Sequence, residues 1–289
     1  YGNDSITALK GPDTVRKRPG VMFGSDGIDG CEHSVFEILS NSIDEAREGY
    51  GDKIILTCYN DGSLEVTDFG RGIPVDYNSK EDKFNWELVF CTLYAGGKYN
   101  NNDGENYEFS LGLNGLGACA TQYSSEFMTV TSYNGEVMRQ VKFKRGEPTF
   151  RKLHEEPLEK KRTGTVVHWR PDLEVFTDIN IPFEFFDSTL HRQAVVNSGI
   201  TFILLFENEN GTFEEKKYVY DNGIADYINE TAKSVEVVND AIATASLSGN
   251  VLYISAKSEG QTSFTLITEN GTKHYATITV REGAANGWL

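Results

Sequence analysis

Across residues 33–49 apolar positions recur at helical spacing. At about 100° per residue, Val35, Leu39, Ser42, Ile43 and Ala46 share one arc, while Glu37, Asn41, Asp44, Glu45 and Glu48 share the opposite, solvated arc. Gly49 and Gly51 end this helix. Alternation predicts strands over 53–59 and 63–69, joined by the turn residues Asn60-Asp61-Gly62. A second helix is expected over 84–94, followed by a polar loop over 100–107 and a helix beginning at Ala118. Further strands are predicted at 127–133, 137–144 and 165–169. A helix at 184–197, closed by Gly199, precedes a buried strand at 200–206 and a partner at 217–220. From residue 231 the chain turns Thr-, Ser-, Val- and Ala-rich, with short strand-like runs at 235–238, 251–256, 263–268 and 275–280. The reading is an α+β domain over 1–230 and a small all-β segment over 231–289.

Composition narrows the function classes. The longest apolar run, 200–206, is far short of the roughly 20 residues a bilayer span needs, so no membrane partner is expected. Residues 1–19 are polar and close on Arg16-Lys17-Arg18, unlike a secretory signal. The net charge of −16 argues against this chain gripping a DNA backbone by itself, without excluding DNA as a partner of a larger assembly. Cys31, Cys58, Cys91 and Cys119 have no metal-binding spacing and read as reduced, mostly buried thiols of a cytoplasmic protein.

Four short stretches could carry chemistry. Glu37 and Asn41 lie one helical turn apart: a carboxylate that can take a proton from water, and an amide oxygen suited to Mg²⁺. A solvated polar face explains the same pair. In Asp68-Phe69-Gly70-Arg71-Gly72-Ile73-Pro74, alternation puts Asp68 on the side of Leu64 and Val66, so it should be a partly buried acid in need of donors. An adenine amine would supply one, and Gly70 and Gly72 would let a flat base approach; a strand ending in an Asp-capped turn is the plainer alternative. Gly112-x-x-Gly115-x-Gly117 before a helix could cradle an anion, with Lys98 adding charge, or be merely a flexible turn. Its glycine order fits neither the P-loop nor the dinucleotide fingerprint. Thr163-Gly164-Thr165 is ordinary strand entry, although a threonine hydroxyl could join Asp68 at a base edge. His33, His154, His168, His191 and His274 lack metal spacing and read as surface or satisfied core residues. The charged run 155–162 reads as a solvated loop.

Together and in this order, these four elements resemble the GHKL ATPase superfamily. Leu9-Lys10-Gly11, Val15-Arg16-Lys17-Arg18-Pro19-Gly20, Asn41-Ser42-Ile43-Asp44-Glu45-Ala46, Ala95-Gly96-Gly97-Lys98, Arg139-Gln140 and Asn197-Ser198-Gly199 narrow the likeness to the B subunits of bacterial type II topoisomerases, gyrase and topoisomerase IV alike. The resemblance covers about residues 1–230. It implies the GHKL (Bergerat) two-layer α/β sandwich, a mixed sheet with helices on one face, and the cofactors ATP and Mg²⁺. It makes Glu37 the general base and Asn41 the Mg²⁺ and phosphate ligand. Asp68 and Thr165 would read adenine, beside Gly72, Ile73 and Pro74. A phosphate lid would comprise Gly112, Leu113, Asn114, Gly115, Leu116, Gly117 and Ala118, with Lys98 and Tyr107 nearby. Glu45 and Arg71 match a rim ion pair and Arg139 a further rim arginine. Tyr1 matches an arm tyrosine that reaches the nucleotide of the other protomer. Ser40, Leu111 and Asn114 stand where Asp, Gly and His are usual.

The implied partners are a second copy in an ATP-closed dimer, the topoisomerase A subunit through regions outside this chain, and DNA through the full assembly. Dimer closure on ATP would power DNA strand passage. The family's transducer lysine, which contacts the γ-phosphate, has no match here. Residues 231–289 instead resemble part of a bacterial immunoglobulin-like module, through Ile242-Ala243-Thr244, 259–262 and 275–280. Slow turnover is therefore expected. The competing class is a nucleotide-binding GHKL module with little or no turnover attached to a β-rich interaction module. A mismatch-repair or chaperone ATPase is disfavoured by Arg16-Lys17-Arg18-Pro19-Gly20.

Overall fold

The computed structural model describes residues 8–95, 115–248, 251–268, 271 and 273–281. Val15 and Phe23 are buried at 0% and 4% exposure and hold two short helices, α1 (Asp13–Arg16) and α2 (Pro19–Phe23). Neither is predicted by periodicity, because four or five residues are too few to show a period. The long helix α3 (Ile28–Arg47) starts upstream of the predicted 33–49. A Cβ on Gly30 would lie 2.0 Å from the Ser25 carbonyl oxygen, so glycine lets the chain turn tightly into it. Val35, Leu39, Ser42 and Ile43 are buried as expected. Asp44, placed on the solvated arc, is also buried. Helices α2 and α5 (Gly117–Tyr123) pack on α3 in addition to the sheet.

The sheet grows from the hairpin β1 (Lys53–Cys58) and β2 (Leu64–Asp68), paired so that Ile54 faces Asp68. A small hairpin, β3 (Tyr77–Asn78) and β4 (Lys83–Phe84), leads into α4 (Asn85–Cys91), shorter than the predicted 84–94. The two strands predicted at 127–133 and 137–144 are one, β5 (Ser125–Lys144), irregular between Gly135 and Val137. After β6 (Glu147–Pro148) comes β7 (His154–Pro171), which absorbs the run 155–162 expected as a loop. That half of β7 is exposed on both faces, so it carries no apolar alternation to read. Ladder bonds to β5 and the cross-strand pairs Arg139–Glu155 and Glu136–Lys161 hold it extended. Then follow α6 (Phe183–Val196), β8 (Thr201–Glu207) and β9 (Phe213–Tyr218). The seven strands run β6-β5-β7-β2-β1-β8-β9, with β1 and β8 parallel and the other pairs antiparallel. Trp169, Phe186, Phe202, Leu190 and Leu204 are almost fully buried in this α/β core.

By its internal contacts the chain divides into two units: Tyr1–Gln193 with Ile200–Val219, and Ala194–Gly199 with Tyr220–Leu289. Composition changes near residue 231, whereas the division falls earlier. In the second unit the Gly199 N–H donates to the Tyr220 carbonyl, which ties 194–199 to the later segment. That unit holds α7 (Ile224–Thr231), β10 (Ala232–Val237), β11 (Ala243–Ser248), β12 (Val251–Ala256), β13 (Gly260–Thr268) and β14 (Lys273–Val280). They form a β10-β13-β14 sheet and a β11–β12 hairpin. All four cysteines carry free thiols, three of them buried. No described helix is long and apolar enough to cross a membrane.

Candidate functional site

Asp68 ends β2 at 8% exposure, on the covered side as the alternation predicts. Its Oδ1 accepts from the Gly70 and Thr165 backbone N–H groups, each at 3.0 Å, and its Oδ2 accepts from the Ser42 hydroxyl at 2.9 Å. Burial pushes the carboxyl above its ordinary pKa. Those three donors oppose the rise, and the nearby Glu45 charge adds to it. Thr165, also buried, accepts the Ile73 N–H on Oγ1 at 3.0 Å, and Ser132 donates to the Ile73 carbonyl at 2.6 Å. Ile73 is thereby fixed beside the acid.

The glycines here answer first to the protein's own packing. A Cβ on Gly70 would meet Glu45 Cγ at 2.3 Å, and one on Gly72, at φ +86°, would meet the Tyr133 carbonyl oxygen at 2.4 Å. The room attributed to an approaching base is thus occupied by protein at those two Cβ positions. At Gly164, φ is +127°, and a Cβ would fall 2.1 Å from the Asp68 carbonyl oxygen.

Helix α3 carries the rest of the constellation. Glu45 forms a fork with Arg71, at 2.7 and 2.9 Å, and also accepts the Arg71 backbone N–H. Glu48 adds a contact at 2.8 Å, and the guanidinium lies 3.7 Å over the Tyr50 ring. The Glu45 bond is the leading cause that raises the Arg71 pKa. One and two turns back lie Asn41 and Glu37. At 1.5 Å per residue, α3 spaces Glu37 and Glu45 about 12 Å apart along its axis. Asn41 donates its amide N–H to the Glu37 carbonyl at 3.0 Å, so Oδ1 faces away from that bond. Glu37 is half-buried, and Gly117 abuts its carboxylate so closely that a Cβ there would come 1.9 Å from Oε2.

Sequence reasoning passed over two residues. His33 lies 3.1 Å from Glu37 Oε1 through Nε2 and 3.2 Å from the Phe23 carbonyl through Nδ1, so it orients the acid from one turn below. The i, i+4 spacing was its available signal. Ser42 was assigned to the apolar arc and instead donates to Asp68. Arg139, the expected rim arginine, is paired with Glu155 at 2.6 Å. Gly115 and Leu116 lead directly into α5, which contains Gly117 and Ala118. Tyr1, Lys98, Tyr107, Gly112, Leu113 and Asn114 lie outside the described residues. Among the described residues no cluster of His, Cys, Asp or Glu could hold a metal by protein ligands alone.

The chain is 36% identical over 248 residues to the DNA gyrase B protein of Thermotoga maritima, a match covering 84% of this chain and 37% of that protein. It is equally similar to the DNA gyrase B protein of Staphylococcus aureus strain Mu50, at 36% over 241 residues, 83% of this chain and 37% of the relative. The crystal structure of the 43K ATPase domain of Thermus thermophilus gyrase B, in complex with an aminocoumarin, superposes with a TM-score of 0.67 at 27% identity. That match covers 90% of this chain and 63% of the other. The chain carries a domain with the fold of the gyrase B ATPase domain. Its mixed sheet and helices are those of the GHKL fold. The chain spans little more than a third of the length of these gyrase B relatives. Residues 227–281 match the family described as "Pilus formation protein N terminal region".

Proposed function

We propose that this chain binds Mg-ATP and hydrolyses it slowly, as the ATPase domain of the B component of a type II DNA topoisomerase. The observation that carries the reading is the lone-pair arithmetic at Asp68. A carboxylate offers about four acceptor directions, and three are used, leaving one on Oδ2 for a single N–H. Beside it, Thr165 accepts on its oxygen, so its hydroxyl hydrogen remains to be given. One acceptor next to one donor complements the amine and the neighbouring ring nitrogen of adenine. Gly72, Ile73 and Pro74 would floor the base, with the Arg71–Glu45 pair and Arg139 at the rim.

Next to Ser42 on α3, the Asn41 amide oxygen is a fitting Mg²⁺ ligand. The ion, when bound, supplies charge neutralisation at the β- and γ-phosphates. Glu37, oriented by His33, would accept the proton of the attacking water. Lys98, Tyr107 and the stretch from Gly112 to Ala118 would enclose the phosphates, and Tyr1 would reach the nucleotide of a second copy. Closure of that dimer on ATP would drive DNA strand passage in the cytoplasm, with an A subunit and DNA engaged through regions beyond this chain. Turnover by these residues alone would be slow, because none of them matches the transducer lysine whose positive charge the family sets at the transferring phosphoryl group.

Mg-ATP affinity by calorimetry and steady-state hydrolysis test the assignment together. Glu37→Ala should keep affinity within about threefold and lose about a hundredfold or more in turnover. Unchanged turnover removes Glu37 from the base role. Asp68→Asn presents an amide N–H where the adenine amine must donate and should weaken ATP by more than about tenfold. Tight ATP binding with no hydrolysis in the unaltered chain would favour a nucleotide-binding module without catalysis, joined to a β-rich interaction module.

A further inference from the structure

The Ser42 hydroxyl sits one bond behind the proposed adenine-reading acid. Both side chains are buried, at 5% and 8% exposure, and Ser42 Oγ donates to Asp68 Oδ2 at 2.9 Å. Oδ2 is also the oxygen with a vacant acceptor direction, since Oδ1 already takes two backbone N–H groups. We infer that Ser42 is a positioning and specificity-determining residue, whose hydroxyl holds the Asp68 carboxylate in the acceptor-only form that a 6-amino purine requires. The inference rests on the assignment of Asp68 to adenine.

A buried carboxyl has two available states with opposite preferences. Ionised, it only accepts, and it pairs with a 6-amino group. Protonated, it can donate, and with the 6-position of the base held against Oδ2 it then pairs with a 6-oxo group such as that of inosine nucleotides. Burial and the Glu45 charge both push Asp68 towards the second state, and its three hydrogen-bond donors oppose them. Glu45 is the charged neighbour acting from α3, and its own charge is partly answered by Arg71. Ile54, facing Asp68 from β1, is apolar, while Thr165 on β7 and Gly70 act through neutral backbone N–H groups. Those two N–H groups are fixed by the fold. The third donor is a side chain, and so it alone can be removed by one substitution. A hydrogen bond to a charged group is strong enough to move such an equilibrium by about one pH unit.

The test measures the affinities of Mg-ATP and Mg-ITP for the full chain from about pH 5 to pH 8. Wild type, Ser42→Ala, Ser42→Thr and Asp68→Asn are compared, with thermal melting at each pH to confirm folding. The two nucleotides share a triphosphate, so its titration cancels in their ratio. In Ser42→Ala the fall of the ATP:ITP ratio with decreasing pH should begin about one unit higher than in wild type. Ser42→Thr, which keeps the hydroxyl, should restore the wild-type profile. A Ser42→Ala profile superimposable on wild type, while Asp68→Asn loses ATP, overturns the role of Ser42 and leaves the adenine assignment standing. If Asp68→Asn binds ATP as wild type does, the adenine assignment itself falls, and the inference with it.

Discussion

At Gly117 even a methyl group has no room. A Cβ there would lie 1.9 Å from Glu37 Oε2 and 3.0 Å from Glu37 Cβ, so either the carboxylate swings away or α5 retreats. In Gly117→Ala we expect turnover to fall more than about tenfold with a smaller change in Mg-ATP affinity, because the displaced group is the proposed base. Gly117 is the first residue of α5 and the side chain it would displace is only half-buried, so the melting temperature should hold. A variant that loses stability and binding together would show that Gly117 serves packing alone. At this scale the sequence was partly legible. Burial of Asp68 followed from alternation with Leu64 and Val66. The residues acting on it did not, because Ser42 and Thr165 lie 26 and 97 positions away and meet it only through the tertiary fold. Glycines were visible as a pattern, but Glu45, Tyr133 and Glu37, which make glycine necessary, were not.

Between elements, the most exposed-looking sequence conceals a buried charge network. Arg16, the last residue of α1, donates to the Tyr123 carbonyl at the end of α5 at 3.1 Å and to Asp172 at 2.7 Å. Asp172 is only 4% exposed, and Arg145 approaches it less closely, at 3.4 Å. Arg16→Gln leaves that carboxylate poorly paired. A loss of about 2 kcal/mol is expected, seen as a fall in melting temperature of about 5 °C, with Arg16→Lys recovering part of it. A shift under about 1 °C would mean that the network is solvated and contributes little. The long periodic helix α3 and the β1–β2 hairpin were readable because one face of each meets the core. α1 and α2 were too short to show a period. The exposed first half of β7 was hidden because both of its faces meet water, so ladder bonds and charge pairs, not apolar contacts, keep it extended.

For the whole molecule, the order of the glutamate–asparagine helix, the acid-glycine turn, the glycine loop and the threonine strand was enough to read the GHKL fold, since that order constrains far more than any one motif. In the second unit the predicted runs are found as β10, β12, β13 and β14, whereas β11, rich in small Ala and Ser, lacked the bulky alternation that marks a strand. Charge, in contrast, is read directly. Four basic and five acidic residues lie in 231–289, so nearly all of the net −16 belongs to the first 230 residues. A domain so acidic repels the phosphate backbone, and several of its basic side chains are committed: Arg16, Arg71, Arg139, Arg145, Arg170 and Lys216 are all paired with carboxylates. If DNA is engaged only through the larger assembly, this chain alone should leave the anisotropy of a labelled duplex of about 30 base pairs unchanged at micromolar protein near 0.1 M salt, with or without Mg-ATP. Submicromolar binding that weakens steeply as salt rises would instead reveal a positive face that the paired arginines give no reason to expect, and would move DNA contact onto this chain.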